Sequence, residues 1–323
     1  MSVHFKKLAL IGIGLIGSSI ALAARRQGLV EVISIATRRQ ETLDEARELG
    51  LGDIYTLDAA EAVRGADLVI LCAPVGAYGA LAAAIGPHLE KGAILSDVGS
   101  VKEHVVRQVG QHVPPGVSFI PGHPIAGTEH SGPSAGFAEL FAGRWCVLTP
   151  TEGVAQADTD RLVAFWRAMG SMVECMDAAH HDMVLAITSH IPHLIAYNIV
   201  GTADELETVT KSEVIKFSAG GFRDFTRIAA SDPVMWRDVF LTNRDAVLEM
   251  LGRFLEDLSV LQRAVRMGDG PALEALFTRT RAIRRSIIDA GQDSAAPDFG
   301  RPHEQPPIPE PAPVRDHGGG DDA

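Results

Sequence analysis

The sequence predicts an α/β chain, with a doubly wound parallel sheet over residues 1–177, an all-α domain over residues 178–291 and a disordered acidic tail over residues 292–323. Three observations carry this prediction. Short apolar runs alternate with segments of helical period as far as Cys175, as expected for strands buried on both faces beneath crossover helices. The first apolar run leads directly into a glycine-rich turn. From Ala178 the alternation gives way to helical period alone.

Leu8-Ala9-Leu10-Ile11 reads as the first strand, and Gly12-Ile13-Gly14-Leu15-Ile16-Gly17 as the turn after it. Ile16, Ile20, Ala23 and Ala24 then recur at helical spacing up to Gly28, a C-terminal stop, and Val32–Ile35 supplies the next strand. Strand, G-x-G-x-x-G, helix and strand together make a Rossmann-type dinucleotide site. The glycines permit a tight turn, close approach to a pyrophosphate and close helix packing, and the helix N-terminus attracts the negative charge. Gly12, Gly14, Leu15, Ile16 and Gly17 are therefore candidate cofactor-binding residues, with Ala73 and Pro74 after a later strand end. An acidic residue about 20 positions past the glycines would hold the ribose hydroxyl of NAD. Here the second strand ends in Ala36-Thr37-Arg38-Arg39. A hydroxyl followed by two guanidinium groups suits a 2′-phosphate and favours NADP over NAD, the alternative being solvated surface arginines.

Alternation continues with a helix over Glu41–Leu49, a strand at Leu68–Cys72, a helix near Ala80–Ile85 and a strand at Ala93–Ser96. Ala73-Pro74-Val75 and Asp97-Val98-Gly99-Ser100 follow strand ends and belong at the carboxyl edge of the sheet, where ligands bind in such folds. Ser100 and Glu103 fit the S-x-x-E capping box of a helix containing Val105, Val106 and Val109; a cap at a site edge can also donate to a ligand. Lys102, in the first turn, could touch substrate or cofactor, although a solvated charge is the more frequent outcome for such a residue. Val117–Ile120 is the strand that delivers the chain into Gly122-His123-Pro124-Ile125-Ala126-Gly127-Thr128-Glu129-His130-Ser131-Gly132. This stretch sets an imidazole, a carboxylate and a hydroxyl among glycines and a proline. It reads as a shaped loop and is the first candidate for a reaction centre. A strand at Trp145–Leu148, a helix over Asp158–Met169 and a strand near Met172–Cys175 complete the first domain.

In the second half, Val184, Leu185, Ile187, Ile191, Leu194 and Ile195 form an apolar stripe. His190 and His193 share a face within it, and Pro192 should kink the helix between them. Gly220-Gly221-Phe222-Arg223-Asp224-Phe225-Thr226-Arg227 reads as a loop, and Asp232-Pro233 as the N-cap and first residue of a helix carrying Val247, Leu251, Phe254, Leu258, Leu261 and Val265. That seam is longer than one domain needs and favours a homodimer over burial within one bundle. Leu276, Thr280, Ile283 and Ile287 mark a last helix ending near Gly291. Beyond it lie seven prolines and seven acidic against two basic residues, a composition that cannot build a core.

Composition narrows the partners. With 323 residues, 46% of them hydrophobic, the chain can bury a sizeable core. A net charge of −12 disfavours nucleic acid and anionic membrane as partners and leaves small molecules. Cys72, Cys146 and Cys175 have neither pairing nor metal-ligand spacing and read as reduced, buried thiols, so no metal is expected. No signal peptide fits the N-terminus and no apolar segment reaches the length of a membrane span, which points to the cytoplasm.

Gly12–Gly17, Asp97-Val98-Gly99-Ser100-Val101-Lys102, Gly122–Gly132, Ser189–His193 and Gly220–Arg227, continuing to Ser231-Asp232-Pro233 and Trp236, stand in this order over about residues 5–290. In this combination the chain resembles the prephenate dehydrogenase family, which includes arogenate and cyclohexadienyl dehydrogenases of tyrosine biosynthesis. The resemblance implies a nicotinamide-binding sheet domain joined to a helical dimerisation domain, with the site in the cleft between them. It implies hydride transfer from the ring carbinol of prephenate or arogenate, with loss of carbon dioxide. His123 matches the general base, Ser100 the serine bonded to the same hydroxyl, Arg227 the anchor of a substrate carboxylate and His193 a substrate-side histidine. Glu129, Asp224, Gly220 and Trp236 match positions that shape the pocket. The chain departs from the family pattern at Thr37-Arg38-Arg39, in place of an NAD-type acidic residue, and no fused regulatory or chorismate mutase domain is expected. Two other readings are a small β-hydroxy-acid dehydrogenase using Lys211 or Lys216, and a nicotinamide-sensing module without catalysis.

Overall fold

The computed structural model describes residues 4–128, 130–205 and 220–289. Its first half is a six-stranded, wholly parallel sheet. The strands are β1 (Phe5–Ile11), β2 (Val30–Ala36), β3 (Ile54–Thr56), β4 (Leu68–Leu71), β5 (Ile94–Asp97) and β6 (Ser118–Phe119), in the spatial order β3-β2-β1-β4-β5-β6. The chain starts at the centre, winds outward to β3 and returns to build the other side. The connection therefore reverses between β1 and β4, which opens a crevice at the carboxyl ends of those two strands.

Successive side chains explain why both faces are covered. Leu8, Leu10, Leu68 and Ile70 enter one core with Ile20, Leu43, Phe165 and Trp166. Their neighbours Ala9, Ile11, Val69 and Leu71 enter the opposite core with Val63, Tyr78, Val105 and Val109. A period of two with every position apolar is what a strand buried between helices requires. The first core is closed by α1 (Leu15–Arg26), α2 (Gln40–Glu48) and α6 (Gln156–Ala168), and the second by α3 (Ala59–Val63), α4 (Tyr78–Ile85) and α5 (Glu103–Gly110).

A smaller sheet follows, in the order β7 (Gly122–Pro124), β8 (Trp145–Leu148) and β9 (Met172–Cys175). β7 runs antiparallel to β8, pairing His123 with Val147. His123 thus sits on a short strand, not in the irregular loop expected of its glycine- and proline-rich surroundings. Three ladder pairings suffice to set it, and the loop begins after Pro124.

The second half is helical: α7 (Ala178–Leu185), a π turn at Ala186–His190, α8 (Ile191–Glu205), α9 (Gly220–Thr226), α10 (Pro233–Thr242), α11 (Arg244–Met267) and α12 (Gly270–Asp289). The expected irregularity before Pro192 is this π turn. A proline cannot donate to the carbonyl four residues back and its ring crowds that carbonyl, so a wider turn relieves both. α7, the π turn and α8 form a continuous helical stretch of 28 residues, Ala178–Glu205, within which a window of 18 residues reaches a mean hydropathy of 1.4. By length and composition it is apolar enough to cross a membrane, which corrects the expectation that no segment is. Its buried residues include His181, Asp182 and His190, which pack toward the sheet half.

Three further expectations are corrected. Gly220–Thr226 is helix α9, where charges and paired glycines suggested a loop. The helix behind Asp232-Pro233 breaks at Asn243, which leaves helical geometry while its side chain bonds the Asp182 carbonyl, so α10 and α11 are separate. Cys175 is exposed, while Cys146 is buried. The expected cap holds at Asp232, whose carboxylate accepts from the Met235 N–H at 2.8 Å. Along the α11 seam Val247 is buried, but Leu258 and Val265 are exposed, as is Phe277 on α12. Lys211, Lys216, Gly291 and the acidic tail lie outside the described residues.

Candidate active site

The glycine turn occupies the switch point between β1 and β4. Gly12 has φ +104°, and a Cβ there would stand 2.7 Å from the Cys72 carbonyl carbon. A Cβ on Gly17 would stand 2.7 Å from the Gly12 carbonyl oxygen, whereas one on Gly14 would meet nothing within 4 Å. The outer glycines therefore serve the turn and the helix packing. The middle one leaves open space before the N-terminus of α1, which suits a pyrophosphate. Leu15 and Ile16 open the helix half-buried, and Ala73 borders the turn from the end of β4, its backbone nitrogen 2.8 Å from where a Cβ on Gly12 would stand, with the exposed Pro74 next in the chain. At the end of β2 Thr37 is half-buried while Arg38 and Arg39 are exposed.

One strand further along, Asp97 ends β5 with no solvent exposure. Its carboxylate accepts from Lys102 Nζ at 2.6 Å, from the Gly99 N–H at 2.7 Å and from the Gly122 N–H at 3.1 Å. Lys102 Nζ also donates to the Gly122 carbonyl at 2.6 Å. Lys102 is therefore wholly buried, contrary to the expectation of a solvated charge. The ion pair grips the Gly122 residue through both its backbone N–H and its carbonyl. Burial pushes the Asp97 carboxyl up and the Lys102 ammonium down, each opposed by the other's charge. Gly122 has to be glycine here, because a Cβ would stand 2.9 Å from the Asp97 carbonyl oxygen. The residue after this clamp is His123.

His123 is buried, and its Nδ1 lies 2.9 Å from His181 Nε2. His181 Nδ1 in turn lies 2.8 Å from Asp182 Oδ1. Burial, then the charges of His181, Lys102 and His190, hold the His123 pKa well below the usual imidazole value, so the ring is neutral near pH 7. The ordinary imidazole value near 6.5 does not hold for this desolvated ring.

Ser100 lies in the turn between β5 and α5, half-buried. The capping box is not formed. α5 has Lys102 at its N-cap without a side-chain cap, and the Lys102 and Glu103 N–H groups donate to the Asp182 carboxylate at 2.7 and 2.9 Å. A carboxylate from another helix satisfies these donors, leaving Ser100 out of that role.

From the helical half, the rings of His193 and Trp236 stack with centroids 3.6 Å apart. His193 Nδ1 donates to the Ser189 carbonyl at 2.9 Å, which leaves Nε2 for another partner. Burial lowers the His193 pKa, and the positive charge of Arg227 adds to that effect, which places the guanidinium within electrostatic reach. His190 stands between the two groups. Its Nδ1 accepts from Asn243 Nδ2 at 3.1 Å, its ring meets Trp236 edge-on, and burial pushes its pKa down to about 4. Asp224 is exposed and accepts from Arg223 Nε at 3.2 Å, and Gly220 begins α9. Neither contacts the His123 group among the described residues. Glu129 lies outside the described residues.

Sequence reasoning did not single out Asp97, His181, Asp182 or Asn243. The available signals were an aspartate closing an otherwise apolar strand with a lysine five residues later, and the polar run His180-His181-Asp182 opening a helix.

A glycine turn at a topological switch point, with a buried neutral histidine at the same sheet edge and a helical half closing over it, defines a nucleotide-binding α/β protein with a helical partner domain. Residues 20–175 match the family description "Prephenate dehydrogenase, nucleotide-binding domain" and residues 177–279 match "Prephenate dehydrogenase, dimerization domain". The chain belongs to the prephenate dehydrogenase family. It is 42% identical to the cyclohexadienyl dehydrogenase of Zymomonas mobilis, over 88% of this chain and 96% of that one. It is 31% identical to the prephenate dehydrogenase of Bacillus subtilis, over 90% and 78% of the two chains. The crystal structure of the Aquifex aeolicus prephenate dehydrogenase in complex with hydroxyphenyl propionate and NAD+ superposes with a TM-score of 0.81 at 32% identity, covering 89% of this chain and all of that one. Synechocystis arogenate dehydrogenase gives 0.74 at 28% identity, over 87% and 99%.

Proposed function

We propose that the chain is an NAD(P)-dependent dehydrogenase that oxidatively decarboxylates prephenate, arogenate or both, giving 4-hydroxyphenylpyruvate or tyrosine in tyrosine biosynthesis. The observation that carries this reading is the neutral, buried His123 ring, clamped by its neighbouring peptide at the carboxyl edge of a dinucleotide sheet. The bound nicotinamide supplies the hydride acceptor. As hydride leaves the ring carbinol carbon, His123 takes the hydroxyl proton. The bond to the ring carboxylate then breaks, carbon dioxide departs, and its electron pair makes the ring aromatic. The same imidazole returns its proton to the phenolate oxygen, so no net proton is consumed. Ser100 hydrogen-bonds the substrate hydroxyl from the β5–α5 turn. Arg227 holds a substrate carboxylate, for which a guanidinium fork is well shaped. His193, fixed against Trp236, faces the substrate, and for Glu129, Asp224 and Gly220 only the family resemblance supports a part in shaping the pocket.

The cofactor-binding residues are Gly12, Gly14, Leu15, Ile16, Gly17, Thr37, Arg38, Arg39, Ala73 and Pro74. Arg38 and Arg39, exposed at the end of β2, favour NADP over NAD. The exposed apolar residues on α8, α11 and α12, among them Ile199, Leu258 and Phe277, fit a homodimer through the helical domain, taken as residues 178–291. Purified protein is mixed with prephenate or arogenate and with NAD or NADP, and absorbance of the reduced nicotinamide is followed. Turnover in at least one of the four combinations is expected, and silence in all four refutes the reading.

A further inference from the structure

We propose that His181 and Asp182 are positioning residues that fix the tautomer of His123 and take up its second proton during turnover. The inference rests on the reading of His123 as the base. A carboxylate only accepts, so the 2.8 Å contact with Asp182 Oδ1 places a hydrogen on His181 Nδ1. In a neutral ring His181 Nε2 then carries the lone pair. Since it lies 2.9 Å from His123 Nδ1, that nitrogen must be the donor. His123 Nε2 is thereby left as the basic nitrogen.

Asp182 is itself fixed from two sides. Its two oxygens accept the Lys102 and Glu103 N–H groups at the start of α5, and its backbone carbonyl accepts from Asn243 Nδ2 at 2.9 Å. Asp182 belongs to α7 in the helical half, whereas both N–H donors belong to the sheet half, so the orienting group is set by the packing of one half on the other. His181 and Asp182 are at most 1% exposed, and water does not compete for these bonds.

The relay also answers an energetic difficulty. Desolvation makes a charge on His123 costly, yet a base must carry the substrate proton for part of the reaction. The hydroxyl proton goes to His123 Nε2, the His123 Nδ1 proton passes to His181 Nε2, and the positive charge comes to rest on the ring bonded to the Asp182 carboxylate. Both protons return by the same path when the phenolate oxygen is reprotonated. Only O–H and N–H bonds change in the relay, and no oxidant or reductant is involved.

The test uses full-length protein labelled with 15N at histidine and long-range 15N–1H correlation spectra, the His123 signals being identified by their loss in His123→Asn. In the wild type His123 is expected to carry its hydrogen on Nδ1. In Asp182→Asn that fixed tautomer should be lost, with kcat down by about 100-fold while KM and dinucleotide Kd stay within about twofold. His181→Phe, which keeps a planar ring but removes the acceptor, should lose kcat to a similar extent and provides the second reading if Asp182→Asn does not fold. A wild-type His123 protonated on Nε2 overturns the proposal, as does kcat within about threefold of wild type in a folded variant. If no substrate turns over at all, the functional reading and the proton transfer to His181 fail with it, while the nitrogen spectrum still decides the tautomer.

Discussion

The Lys102 ammonium and the Asp97 carboxylate meet at 2.6 Å with neither side chain exposed, and both also bond Gly122, the residue before His123. A buried pair of this kind gains little over an apolar replacement, because desolvating two charges offsets their attraction. Breaking it is another matter. Lys102→Met leaves Asp97 buried with only two backbone donors and should destabilise the protein by about 3–5 kcal/mol. Asp97→Asn combined with Lys102→Met removes both charges and should recover part of that loss. Urea denaturation of both variants checks this, and a single variant within about 1 kcal/mol of wild type would show that the pair does not hold the strand.

His123→Asn keeps a polar side chain of smaller size on β7 and removes the proposed base. The expected result is a fall in kcat of about 100- to 10,000-fold with unchanged dinucleotide affinity. Steady-state kinetics and a fluorescence titration with the reduced cofactor separate the two. A variant that keeps its turnover would assign the base to another group.

The depressed pKa of His123 sets the direction of the pH dependence. On the proposed mechanism the neutral ring acts as the base, and it persists at every pH above its own pKa, which burial has moved well below 6.5. The kcat/KM profile should therefore stay level as pH falls through 6.5 and decline only well below it. A decline centred on the ordinary imidazole value would mean that the ring is hydrated in the free enzyme.

Stability should respond to acid earlier than activity does. The unfolded chain protonates His190 at about 6.5, while the folded protein does so only at about 4. The unfolded state thus binds more protons across that interval, and stability falls as pH drops through it, by roughly 3 kcal/mol for this group alone. His123 and His181, also lowered by burial, act in the same direction. Denaturant midpoints measured at about pH 7 and about pH 4.5 test this, and an unchanged midpoint would contradict the burial of neutral imidazoles.

The sheet was legible because its rule is local. Leu8–Ile11 and Leu68–Leu71 are apolar at every position, and the glycines at 12, 14 and 17 keep a spacing that only a tight turn before a helix needs. β3, with three residues, and α3, with five, are too short to carry a period and went unread. His123 could be singled out for its chemistry, but its strand could not, since β7 exists through pairing with β8 more than 20 residues later. Lys102 and Asp182 were illegible for the same reason. A lysine in a first helical turn looks solvated until Asp97 and Gly122 are brought to it, and Asp182 caps a helix 79 residues earlier in the chain. Such roles are set by tertiary approach, and no window of sequence contains both partners.

The proposed preference for NADP rests on the end of β2. Arg38 and Arg39 are exposed there, Arg39 at the N-cap of α2, beside the half-buried Thr37. A ribose 2′-phosphate would bring two negative charges to this edge and could take bidentate hydrogen bonds from either guanidinium, whereas the 2′-hydroxyl of NAD gains little from them. Replacing both arginines by alanine should raise the Kd for NADP by about tenfold or more, as expected for losing charge-assisted bonds of about 1.5–3 kcal/mol each in part-exposed surroundings. The Kd for NAD should change by less than about twofold, because its adenosine ribose carries no charge there. Titrating the variant with each dinucleotide at two salt concentrations decides the matter. The NADP loss should shrink as salt screens the wild-type contacts, and equal effects on the two cofactors would reduce both arginines to surface charges.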